Sequence, residues 1–73
     1  MKATFAIEKM TGLNQWSSEG LGEATGWPSK REAVRALRSL NDLARSDTDW
    51  AGRYRVVNET TSRVVHEETV DGE

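Results

Sequence analysis

The residues Tyr54-Arg55-Val56-Val57-Asn58, Glu59-Thr60-Thr61-Ser62 and Arg63-Val64-Val65-His66-Glu67 decide the fold class. Two β-branched, alternating runs flank four turn-forming residues, which is the pattern of a β-hairpin. With residues 59–62 as the loop, Tyr54, Val56, Val64 and His66 share one face, while Arg53, Arg55, Val57, Val65 and Glu67 share the other. The first face is the one expected to be buried. The loop reads as a type I turn with a bulge, and Ser62 stands where glycine would best tolerate a positive φ.

Upstream of the hairpin, Pro28-Ser29-Lys30-Arg31-Glu32 places a serine at a helix N-cap and a glutamate three residues on. In this capping box, side chains satisfy backbone N–H groups that the first turn leaves without partners. No Gly or Pro interrupts the chain from there to Arg45. At the helical angular step, Ala33, Ala36, Leu37, Leu40, Leu43 and Ala44 fall within an arc of about 120°, with Val34 at its margin. This face is expected to pack on a sheet. The opposite face carries Arg31, Arg35, Arg38, Asp42 and Arg45.

At the other end of the chain, Phe5 and Ile7 alternate with Thr4, Ala6 and Glu8, and Thr11-Gly12-Leu13-Asn14 supplies turn chemistry. Residues 3–10 therefore read as a first strand, and Gln15-Trp16-Ser17-Ser18 as a short second strand pairing back on it. Residues 18–27 read as a flexible connection, because Gly20, Gly22 and Gly26 make a regular element costly in backbone entropy. Residues 46–52 turn the chain into the last hairpin, and the acidic tail at 69–73 is expected to fray.

The order hairpin, helix, hairpin predicts one α+β domain over residues 1–73: a two-layer ββαββ unit with one helix on an antiparallel sheet of three or four strands. Its expected core is Phe5, Ile7, Trp16, Trp27, Leu37, Leu40, Tyr54, Val56 and Val64. A chain of 73 residues buries only about 60% of its unfolded surface, and it has no cysteine to cross-link it. The three tryptophans, Phe5 and Tyr54 are thus expected to dominate its energetics. The same modest core leaves self-association open.

Residues Phe5 to Trp16, Gly26-Trp27-Pro28-Ser29-Lys30-Arg31-Glu32-Ala33 and Tyr54-Arg55-Val56-Val57-Asn58 carry a resemblance. The chain resembles small uncharacterised bacterial and phage ββαββ proteins. In those, a strand pair leads through a capped S-x-E-A helix start to a Y-R-V-V-D strand and a T-G-x-V-V return. The resemblance spans most of the chain, with Thr61-Ser62 in place of Thr-Gly. It implies a fold and carries no activity.

Gly20-Leu21-Gly22-Glu23-Ala24-Thr25-Gly26 precedes a helix as a phosphate loop does, but no buried parallel strand leads into it and no Lys-Ser/Thr pair follows the last glycine directly. Asp47-Thr48-Asp49-Trp50-Ala51-Gly52 begins like a calcium loop, then places Ala51 and Asn58 where the fifth and twelfth ligands belong. It reads as a turn. With one histidine and no cysteine, a Cys/His zinc site is ruled out, and no nucleophilic triad can plausibly be assembled around His66. Glu67 and Glu68 point to opposite faces of a strand and form no acid/base pair. The expectation is no enzyme, no cofactor and no metal site.

The first ten residues hold too short an apolar stretch for a signal sequence, and no segment approaches the ~20 apolar residues of a membrane span. A soluble, cytoplasmic protein is expected, so the acceptor pattern Asn58-Glu59-Thr60 reads only as a polar turn. In a chain of net charge −2, residues 30–45 are locally basic, with Lys30, Arg31, Arg35, Arg38 and Arg45 against Glu32 and Asp42. A second basic patch, Arg53, Arg55 and Arg63, belongs on or near the open sheet face. The reading is a small non-catalytic interaction module, binding a protein or itself through the open sheet face or a hairpin edge. The candidate surface is Arg31, Arg35, Arg38, Arg45, Arg55, Val57 and Val65. The alternative is nucleic-acid binding through the arginine face of the helix, against which the acidic tail weighs.

Overall fold

The computed structural model describes residues 3–18, 21 and 24–72. Four antiparallel strands form one open sheet in the order β2-β1-β3-β4: β1 Phe5–Gly12, β2 Gln15–Ser17, β3 Gly52–Asn58 and β4 Arg63–Val70. Helix α1, Lys30–Ser46, covers one face, and a 3₁₀ turn at Thr48–Trp50 leads from it to β3. This is the α+β, two-layer ββαββ arrangement that the sequence predicts.

The helix forms where its capping chemistry places it. Ser29 Oγ accepts a hydrogen bond from the Glu32 amide at 3.2 Å. Ala33, Leu37, Leu40 and Ala44 turn inward and are buried, and they meet Ile7, Tyr54, Val56 and Val70 from the sheet. Leu43, at the edge of the predicted apolar arc, is exposed. At the far end, Asp47 Oδ1 caps the 3₁₀ turn by accepting from the Asp49 amide. The carboxylate that suggested a calcium loop is thus used in holding a turn.

Two features of the sheet correct the sequence reading. In the last hairpin, Val56 pairs with His66 but Val57 pairs with Val64, so Val65 is an extra residue in β4. This bulge exchanges the two valines: Val65 packs against the core, and Val64 lies exposed beside Val57 on the open face. In the first hairpin, a register shift between Met10 and Gly12 sets Trp16 opposite Met10. Trp16 therefore lies on the open face with Glu8 and Arg55, outside the core assigned to it by sequence.

Two further segments make backbone contacts with the sheet. Of the connection over residues 18–27, positions 19, 20, 22 and 23 lie outside the described residues, among them three of the seven positions of the glycine run read for phosphate binding. The remainder lines up along β1. The Ile7 amide donates to the Ala24 carbonyl at 2.6 Å, and Phe5 and Trp27 exchange backbone hydrogen bonds at 2.8 and 3.0 Å. The acidic tail joins the sheet through Val70, which pairs with Gly52 and is 1% exposed.

Candidate functional site

The topology leaves three surfaces uncovered: the outer face of the sheet, the outer edge of β4, and the helix flank above that edge. Each holds some of the residues singled out by sequence.

On the outer face, Arg53 and Arg55 have acidic neighbours, whereas Arg63, which sequence placed with them, stands opposite Asn58 in the register of the inward-facing Val56. Arg55 Nε donates to Glu8 Oε1 at 2.7 Å, and the guanidinium lies 4.4 Å from the Trp16 ring centre. Arg53 and Glu67 approach to 3.8 Å. Both pairs join neighbouring strands of the sheet and follow from the register, which sets Glu8 and Glu67 opposite Arg55 on its two sides. Val57 and Val64 form a small apolar spot at the hairpin end of this face. Val65, which sequence reasoning placed beside Val57, lies on the other side of the sheet.

The helix arginines separate into two groups. Arg45 sits at the C-terminal end, where it pairs with Asp42 at 3.3 Å and donates to the Gly72 carbonyl. Arg31, Arg35 and Arg38 lie together with Lys30, Val34 and His66 around a groove of about 670 Å³ between α1 and β4. One carboxylate serves this groove. Glu68 Oε1 accepts from Arg38 Nε at 3.3 Å and lies 3.1 Å from His66 Nε2. Lys30, Arg31 and Arg35 form no ion pair among the described residues.

The groove therefore presents three cations without a carboxylate partner among the described residues, beside the apolar side chain of Val34. It runs beside a strand edge, since no strand lies beyond β4 among the described residues. Sequence periodicity found Arg31, Arg35 and Arg38, but Lys30, Val34 and His66 join them only through the packing angle of helix on sheet. His66 could be placed on the inward face of a strand by alternation, whereas its nearness to Arg38 depends on the tertiary fold.

The groove carries no cysteine or hydroxyl nucleophile among its lining residues, and its one imidazole is engaged with Glu68. A second recess, of about 260 Å³ on the other flank of the helix, is lined by Ile7, Leu21, Ala24, Trp27, Ala36, Ser39, Leu40 and Leu43 and has no titratable group among them. Among the described residues no three His, Cys, Asp or Glu side chains gather as metal ligands. No helix there is long and apolar enough to cross a membrane. Among the described residues, Tyr54 is the single group whose acidity is clearly displaced: burial pushes its phenol above the usual tyrosine range. Its hydroxyl donates to the Trp50 carbonyl at 2.6 Å, which is a structural bond between β3 and the 3₁₀ turn.

No family model, curated protein or solved structure matches the chain. The functional reading accordingly rests on the geometry alone.

Proposed function

We propose that this domain is a non-catalytic binding module that engages a protein partner along the outer edge of β4. The observation that carries this reading is the position of β4: eight residues long, hydrogen-bonded on one side only, and flanked by the open groove beneath α1. An edge strand offers backbone donors and acceptors that a partner's extended segment can complete. The opposite edge is less suited. β2 has three residues, and the segment that follows it already lines β1 through Ala24 and Trp27.

The open sheet face ranks second as a contact surface. Arg53 and Arg55 are already paired there, the Arg55 guanidinium lies over the Trp16 ring, and Ala6 beside Val57 is buried, so the face offers little unsatisfied chemistry. Nucleic-acid binding by the helix face is disfavoured by the absence of a stacking platform: among the groove's lining residues the only ring is His66, and Trp16 lies on the far side of the sheet.

Site-specific photocrosslinking in the source cells tests the reading. A photoreactive side chain at Thr69, exposed on β4, is expected to give a discrete protein adduct, and one at Thr48, exposed in the 3₁₀ turn, is expected to give none. Adducts at Thr48 with none at Thr69, or adducts only with nucleic acid, would overturn it.

A further inference from the structure

We infer that the segment received at the β4 edge is an acidic, extended peptide whose alternate carboxylates enter the groove of Lys30, Arg31 and Arg35. This rests on the edge-binding reading above and specifies the chemistry of its partner.

A strand added beyond β4 would be the fifth of the sheet. Every second side chain on it would point to the same side as α1, because side chains alternate across a sheet. Along β4 that side is occupied by His66, Glu68 and Val70, which share the inward face with Tyr54 and Val56. The inward side chains of an added strand would therefore rise into the space between β4 and the helix flank, which is the groove.

The charges there select what can enter. Arg38 is partly neutralised by Glu68, but Lys30, Arg31 and Arg35 have no carboxylate partner among the described residues. A basic or purely apolar segment would leave these cations without compensation. Carboxylates at alternate positions would pair with them, and the apolar stem of each side chain would rest against Val34.

A second copy of this chain is a poor occupant by the same argument. Antiparallel β4 to β4 pairing about a two-fold axis would extend the sheet continuously and bring the two helices to the same side. Each would turn its Lys30, Arg31 and Arg35 flank toward the other, with no new carboxylate between them. Like charges so placed oppose association.

The test is a titration of the full chain, followed by amide NMR. The probe is a blocked peptide of alternating Glu and Val about as long as β4, which has eight residues. Its controls are the same peptide with Lys for Glu, the Glu peptide with alternate backbone nitrogens methylated, and a short oligo-dT strand. The expected result is a saturable shift along both β4 and the first half of α1 with the Glu peptide. Little response should follow from the Lys or methylated versions.

Arg31→Glu with Arg35→Glu should weaken Glu-peptide binding by at least about tenfold. Both positions are solvent-exposed, so the fold should be retained, as the amide spectrum of the free variant would report. Equal binding of Glu and Lys peptides, or no shift with either, overturns the acidic assignment. Thr69 crosslinking is a separate measurement, and its success beside a failed peptide titration would retain the edge reading alone. Shifts confined to α1, and stronger with oligo-dT than with peptide, would overturn the inference in favour of nucleic acid.

Discussion

Val57 of β3 stands opposite Val64 of β4, although its neighbour Val56 stands opposite His66. The bulge at Val65 between these pairs decides which valine serves the core. Val64→Asp should cost no more than about 1 kcal/mol, the strand preference and the contact with Val57 that the half-exposed valine supplies. Val65→Asp should cost about 2 kcal/mol or more, because it desolvates a carboxylate against the core. Urea unfolding of the two variants checks the register, and a reversed order would restore the unbulged pairing.

The loop that joins these strands carries strain at one position. Ser62 adopts φ 59°, and its amide donates to the Asn58 carbonyl at 2.7 Å, while Asn58 Oδ1 accepts from the amides of Thr60 and Thr61. A left-handed conformation costs a non-glycine residue roughly 1–2 kcal/mol, partly offset in glycine by the larger entropy of its unfolded chain. Ser62→Gly is therefore expected to stabilise the domain by up to about 1 kcal/mol, and Ser62→Val to destabilise it. Thermal unfolding of the pair would show whether the midpoints move in opposite directions.

This loop also marks how far the sequence can be read. Ser62 at a glycine-like position, the Ser29 cap and the apolar stripe of α1 were legible because each depends on residues a few positions apart. Val64 and Val65 were not distinguishable: two adjacent valines satisfy either face, and the bulge that separates them is fixed by pairing with β3. Trp16 was misplaced for the same reason, since the shift after Met10 determines its side of the sheet. The three arginines of the groove were visible as a helix face, but their grouping with His66 and the edge of β4 follows from tertiary packing.

Tyr54 gives the fold an alkaline limit. Its phenol is fully buried and its acidity is displaced upward by desolvation, so the folded chain holds the proton more tightly than the unfolded chain. Below the ordinary tyrosine value of about 10 both states are protonated and the residue contributes no pH dependence. Above it the unfolded state loses the proton first, and stability falls as pH rises through the folded value. Urea unfolding between about pH 8 and 11 should show this decline, with a weaker decline in Tyr54→Phe. The substitution should itself cost about 1 kcal/mol at neutral pH, because the Trp50 carbonyl loses its donor. As Tyr54 is the one tyrosine of the chain, tyrosinate absorbance reports its ionisation directly.

Gly72 ties the end of β4 to the end of the helix. Its φ is 83°, and a Cβ at this position would stand 3.1 Å from the carbonyl carbon and oxygen of Ala44. Backbone atoms of a helix cannot move aside as a flexible side chain can. Gly72→Ala should therefore lift the tail from α1 and break the hydrogen bond from Arg45 Nε to the Gly72 carbonyl, at a cost of about 1–2 kcal/mol. The neighbouring Val70 is 1% exposed and packs in the core, so loosening should spread into β4. Hydrogen exchange is expected to speed up at Val70 and Thr69 in this variant while the amides of Ile7 and Val56 change less. Unchanged protection at Val70 would mean that the last strand holds its place through β3 alone.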